Sequence, residues 1–185
     1  MNKAVILDRD GTINEEKNYL YKIEDFTYTY KAQEAIKILN NNGYKVIVIT
    51  NQAGVARGYY KEEDVLSLHS WINYDLSKNN AHIDDFLYCP HHPEHGLGKY
   101  KVDCECRKPK SGLYKKAIEL HEIDVKQSFV IGDKLSDIKP GKELGFRTCI
   151  VETGYGKLQV DEYGICDYKG PNLYEVVKKL IKINS

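Results

Sequence analysis

Short apolar runs alternate with segments of helical periodicity along nearly the whole chain, and that alternation leaves few folds open. Val5-Ile6-Leu7, Lys45 to Thr50, Phe86 to Cys89, Ser128 to Ile131 and Phe146 to Val151 read as strands, each short and rich in β-branched or aromatic side chains. Between them, Ala32, Ala35, Ile36 and Leu39 recur at helical spacing, as do Val65, Leu68, Ile72 and Leu76. Further helices are expected near 111–121, 136–144 and 172–183. Strands separated by helices need right-handed crossovers, so the pattern predicts an α/β fold: a doubly wound, Rossmann-like parallel sheet with helices on both faces. The 185 residues suit one domain over 1–185, with no linker, repeat or low-complexity tract.

Charge narrows the partners. The 27 basic residues balance 27 acidic ones, which argues against a protein that coats nucleic acid. No apolar run approaches the length of a membrane span and no charged leader precedes the first strand, so a cytoplasmic protein without membrane contact is expected. Five cysteines, three of them between Cys89 and Cys106, read as metal ligands plus free thiols rather than as a disulfide framework. Cys149 and Cys166 lie in apolar surroundings and read as core thiols.

The chemistry gathers where strands end. The first strand closes on Asp8-Arg9-Asp10-Gly11-Thr12, and ligands of open parallel sheets bind at the carboxyl ends of strands. Asp10-Gly11 alone is an ordinary turn, but two carboxylates at one strand end repel unless a cation lies between them, which asks for Mg²⁺. Thr50-Asn51-Gln52 and Gly132-Asp133-Lys134 follow other strands, and Arg107-Lys108 precedes a helix. These are the parts of phosphoryl transfer through an aspartyl-phosphate. Asp8 is expected to attack phosphorus, with Mg²⁺ held by Asp8, the Asp10 main-chain carbonyl and Asp133. Lys108 would balance remaining charge, and Thr50 would donate to a phosphate oxygen. Asp10 would protonate the departing oxygen and then deprotonate water, which requires a carboxyl close to neutral in the first step. Asp137, one helical turn past Asp133, is expected either to hold Lys134 or a water on the metal, or to serve as a helix N-terminal charge.

Asp8-Arg9-Asp10-Gly11-Thr12, Thr50-Asn51-Gln52, Lys108 and Gly132-Asp133-Lys134-Leu135-Ser136-Asp137 resemble the four motifs of haloacid dehalogenase superfamily phosphatases, over roughly residues 4–155. Thr50 to Gly58 and Cys104-Glu105-Cys106-Arg107-Lys108-Pro109 are similar to the D-glycero-D-manno-heptose 1,7-bisphosphate phosphatases and the related histidinol-phosphate phosphatases. The resemblance implies a monomeric, Mg²⁺-dependent phosphomonoesterase acting on a small phosphorylated sugar. The bisphosphate enzymes release the phosphate at carbon 7. It also implies that Glu16, Lys17, Asn18, Tyr19, Asn51, Gln52 and Ala53 line the substrate, and that Arg107, Lys108 and Lys134 meet phosphate or hydroxyls, Arg107 taking the retained phosphate. Arg57 would be a second cation, a helix cap or a solvated charge. No insertion is long enough for a large cap domain, so the site is expected to be open. A histidinol phosphate substrate and a non-enzymatic zinc-loop module are the alternatives. Neutral charge and the intact catalytic set stand against the module.

The loop over about 89–106 carries three thiols and several imidazoles, enough for a closed tetrahedral Zn²⁺ site of structural type. Spacing leaves His91, His92 and His95 open as the imidazole; the family's pattern of alternate residues implies Cys89, His91, Cys104 and Cys106. A zinc-stapled loop there would hold Arg107 and Lys108 over the site.

Overall fold

The computed structural model describes residues 1–183. Six strands form one sheet: β1 (Ala4–Leu7), β2 (Lys45–Asn51), β3 (Asp85–Cys89), β4 (Phe129–Gly132), β5 (Arg147–Val151) and β6 (Tyr168–Gly170). All neighbours pair in parallel, in the order β3-β2-β1-β4-β5-β6. The helices are α1 (Ala32–Asn41), α2 (Ala53–Ala56), α3 (Glu62–Ser77), α4 (Gly112–His121), α5 (Leu135–Glu143) and α6 (Leu173–Ile183).

Alternate residues of each central strand point to opposite faces, and both faces are buried, which is why the strands read as continuous apolar runs. Val5 and Leu7 pack with Ala35, Ile36, Leu68, Ile72 and Val176, so α1, α3 and α6 cover one face. Ala4 and Ile6 pack with Leu113, Ala117 and Ile138, so α4 and α5 cover the other. The strand order runs outward from β1 in one direction and from β4 in the other, and the crevice at their carboxyl ends is therefore the topological switch point.

The expected strands and helices are present, with ends displaced by a residue or two. Two elements lacked a sequence signal. β6 is a three-residue edge strand whose middle residue, Lys169, is exposed, and α2 is a single turn. Cys149 lies in the core, whereas Cys166 is only half-buried, in the loop leading to β6. Among the described residues no inserted domain separates β1 from α1 or β2 from β3; the two longest departures from the sheet on this rim are the segment between β1 and α1 and the cysteine loop between β3 and α4.

Candidate active site

Asp8 leaves the end of β1 buried, and a lysine from a distant loop meets it. Lys108, 4% exposed, donates from Nζ to Asp8 Oδ1 at 2.7 Å, to the Ile49 carbonyl at 2.8 Å and to Asp137 Oδ1 at 2.9 Å. Burial pushes the ammonium toward neutrality, but the Asp137 and Asp8 carboxylates outweigh it and hold Lys108 above the ordinary lysine value. Asn51 fixes the Lys108 main chain at both ends, accepting from its N–H at 3.0 Å and donating to its carbonyl at 3.1 Å. The other Asp137 oxygen accepts from the Lys134 main-chain N–H at 2.9 Å, capping α5. Asp137 thus binds the Lys108 ammonium and not that of Lys134, which lies 3.9 Å from Glu16 and 4.5 Å from the centre of the Tyr155 ring.

Asp133 closes the cluster. Its Oδ2 accepts from the Tyr155 N–H at 2.8 Å, while its buried Oδ1 has no partner. Two glycines make room for it: a Cβ at Gly11 (φ +85°) or at Gly154 (φ +55°) would come within 2.3 Å of Asp133 Oδ2. Asp8, Asp133 and Asp137 bring carboxylate oxygens within 4.8 Å of one another. Burial and mutual repulsion raise Asp8 to about 7 and Asp133 to about 8. An all-oxygen set under that repulsion, with one orphaned oxygen, fits a hard divalent cation such as Mg²⁺.

Asp10 is set apart from this cluster. Its Oδ1 accepts from Arg9 Nη2 at 3.0 Å, Arg9 Nε at 3.3 Å and Asn14 Nδ2 at 3.0 Å, and its Oδ2 accepts from Gln52 Nε2 at 3.1 Å. Burial pushes this carboxyl up, but the Arg9 charge and these hydrogen bonds outweigh it and leave the pKa below the ordinary value. Without substrate these groups favour the ionised form of Asp10; the near-neutral carboxyl is expected only in the first step, with the substrate's phosphate in place. Arg9 is 1% exposed and folded back onto its neighbour. Arg9 Nη2 also donates to the Leu20 carbonyl at 2.8 Å, and Nη1 lies 3.3 Å from His69 Nε2. The His69 ring stacks on Phe86 at 4.5 Å, and burial together with the Arg9 charge lowers its pKa to about 3.

Above this rim opens a cavity of about 370 Å³. It is lined by Asp8, Asp10, Thr50, Arg107, Lys108 and Lys134, and by Glu16, Asn18, Tyr19, Asn51, Gln52 and Ala53 from the segments expected to meet substrate. Lys17 is turned away from it: its Nζ donates to the Asp25 carbonyl at 2.6 Å and to Thr27 Oγ1 at 2.8 Å, which satisfies the charge outside the cavity. Arg57 also lies outside the lining, with its guanidinium 5.8 Å from the Tyr19 ring. Tyr60, Ser136 and Tyr155 line the cavity without having been expected there.

The cysteine loop converges on a second cluster. Cys89 Sγ lies 3.4 Å from Cys104 Sγ and 3.0 Å from Cys106 Sγ, and His91 Nδ1 lies 3.3 Å from Cys106 Sγ. His92 instead turns its Nδ1 toward the main-chain N–H groups of Glu94 and His95, so the geometry selects His91 among the three imidazoles. Three thiols and one imidazole facing one another fit a closed tetrahedral zinc site. Arg107 Nη1 donates to the His91 carbonyl at 3.3 Å, which ties the cavity's arginine to the cluster.

A family model described as HAD-hydrolase-like matches residues 105–174. A D-glycero-alpha-D-manno-heptose-1,7-bisphosphate 7-phosphatase of Photorhabdus laumondii is 42% identical over 177 residues, covering 95% of this chain and 95% of that protein. A D-glycero-beta-D-manno-heptose-1,7-bisphosphate 7-phosphatase of Haemophilus influenzae is 42% identical over 171 residues, 91% of each. The crystal structure of a D,D-heptose 1,7-bisphosphate phosphatase from B. bronchiseptica, complexed with magnesium and phosphate, is similar with a TM-score of 0.87 at 26% identity. It covers 98% of this chain and 99% of that one.

Proposed function

The chain belongs to the heptose-1,7-bisphosphate 7-phosphatase family of haloacid dehalogenase-like hydrolases, and we propose that it removes the carbon-7 phosphate of a D-glycero-D-manno-heptose 1,7-bisphosphate, giving the 1-phosphate. The observation that carries the reading is the buried Asp8–Lys108 pair, which lines a polar cavity sized for a small metabolite and whose Asp8 clusters with Asp133 and its orphaned oxygen.

Lys108 holds Asp8 Oδ1, which leaves Oδ2 to attack phosphorus. A bond forms from Asp8 to phosphorus and the bond from phosphorus to the sugar oxygen breaks. Asp8 and Asp133, with the Asp10 main-chain carbonyl, would hold Mg²⁺, which when bound supplies positive charge against the phosphate oxygens. The incoming phosphate raises the neighbouring Asp10 carboxyl toward protonation, and Asp10 then gives that proton to the departing sugar oxygen. In the second step Asp10 takes a proton from water, whose oxygen attacks phosphorus and frees Asp8. Thr50 donates to a phosphate oxygen, and Arg107 meets the phosphate retained at carbon 1.

Cys89, His91, Cys104 and Cys106 would hold a structural Zn²⁺ outside the chemistry. The same reading makes the chain one domain over 1–185 and a monomeric, cytoplasmic enzyme without nucleic-acid or membrane partners. The balanced charge supports the absence of a nucleic-acid partner, and no helix among the described residues is long and apolar enough to cross a membrane.

The test is phosphate release by the purified protein with Mg²⁺, comparing both anomers of the heptose 1,7-bisphosphate with histidinol phosphate. A preference of about a hundredfold in kcat/KM for one heptose anomer, about 2.7 kcal/mol of transition-state discrimination, is expected. Preferred turnover of histidinol phosphate would overturn the substrate, and no release from any of the three would overturn the enzyme.

A further inference from the structure

Tyr60 lies between α2 and α3, 6% exposed, and takes no place in the chemistry described above. The hydroxyl end of its ring packs against α2 where Gly54 has no side chain, since a Cβ there would come within 2.1 Å of it. The Tyr21 ring stacks on it with centroids 4.9 Å apart. Held by these two contacts, the Tyr60 hydroxyl donates to Gln52 Oε1 at 2.7 Å.

That one contact decides a chain of directions. With Oε1 occupied by Tyr60, the Gln52 amide nitrogen faces the cavity floor and donates to Asp10 Oδ2 at 3.1 Å and to Thr50 Oγ1 at 3.0 Å. Thr50 therefore accepts from Gln52 and makes no other side-chain hydrogen bond among the described residues, so its own proton remains for a phosphate oxygen. If the amide turned over, its oxygen would draw the Thr50 proton and face the Asp10 carboxylate. The Tyr60 proton would then be buried without a partner.

We propose that Tyr60 is a positioning residue whose hydroxyl fixes the orientation of the Gln52 amide and thereby keeps Thr50 a hydrogen-bond donor to the substrate's phosphate. The proposal rests on the phosphatase reading of the site. Tyr60 is a donor throughout, since burial holds its phenol well above the ordinary tyrosine value.

The experiment is steady-state kinetics of Tyr60→Phe, Gln52→Leu and the double variant, on the heptose bisphosphate and on a small aryl phosphate, with thermal midpoints confirming equal folding. Tyr60→Phe keeps the ring and its stacking on Tyr21 and should lower kcat by about tenfold or more, with KM within about threefold, on both substrates. Gln52→Leu should cost at least as much, and adding Tyr60→Phe to it should cost nothing further. Gln52→Glu, which still accepts from Tyr60 but cannot donate, should be as impaired as Gln52→Leu. Unchanged kcat in Tyr60→Phe, full additivity in the double variant, or a Gln52→Glu enzyme near wild type would each overturn the role of Tyr60 while leaving the phosphatase reading intact. A wild-type protein that hydrolyses neither substrate overturns both.

Discussion

Two clusters of ligand-type side chains lie close together in this molecule, joined by the short stretch from Cys106 to Lys108, and they are built on opposite plans. The cysteine cluster turns four donors toward one another, enough to fill the coordination of a tetrahedral metal. The carboxylate cluster is strained by its own charge, holds one orphaned oxygen and borders the cavity. Centres of these two kinds are told apart less by the residues they contain than by whether any face of the cluster remains free.

The largest effect that sharpens the contrast is expected from Asp8→Asn. The amide is a poor nucleophile, so kcat should fall by on the order of 10⁴-fold or more, with zinc content and fold unchanged. Phosphate release and metal analysis on one preparation check it, and appreciable remaining turnover would remove Asp8 from its role. Next is Lys108→Met, which leaves Asp8 and Asp137 buried without their cation. Loss of the partner should destabilise the fold by about 3–5 kcal/mol, less when Mg²⁺ is supplied. Urea denaturation with and without the metal measures this, and equal losses in the two would argue against a cation at the carboxylates.

His69 sets a pH limit on the rim from behind. Its folded-state pKa of about 3 lies below the unfolded value of 6.5, so its contribution is complete above the unfolded value and is lost as pH falls toward the folded one. By pH 5 this should amount to about 2 kcal/mol relative to pH 7, and His69→Leu should show a flatter acid limb in denaturation midpoints. The smallest kinetic effect belongs to the other cluster. Cys106→Ser should lower zinc content and raise KM by about tenfold or less, with kcat less affected, because it loosens the support of Arg107 and Lys108. If zinc content and KM both stayed at wild-type values, the ligand assignment would be wrong.

The carboxylate rim was legible because each charged residue stands at the end of an apolar run, where burial is forced by the strand before it. Lys108 has no such run and was found only through its motif; that its ammonium is shared by Asp8, Asp137 and the Ile49 carbonyl is a tertiary fact. Arg9 shows the limit of reading by position, because alternation along a strand says nothing about a side chain that folds back on its neighbour just past the strand's end. Tyr60 and Tyr155 come from loops, which carry no periodicity; the only hints were Gly54 and Gly154 nearby, small residues where another group comes close. Lys17 failed the other way: its segment reaches the cavity, but local oxygens of Asp25 and Thr27 satisfy its charge first.

The absence of an inserted domain over the rim has a kinetic meaning. With no shutter to swing, water for the second step enters directly from bulk solvent, and the sugar 1-phosphate diffuses away without waiting for a hinge. With no hinge step in the cycle, kcat is expected to be indifferent to added viscogen, which a viscosity series measures.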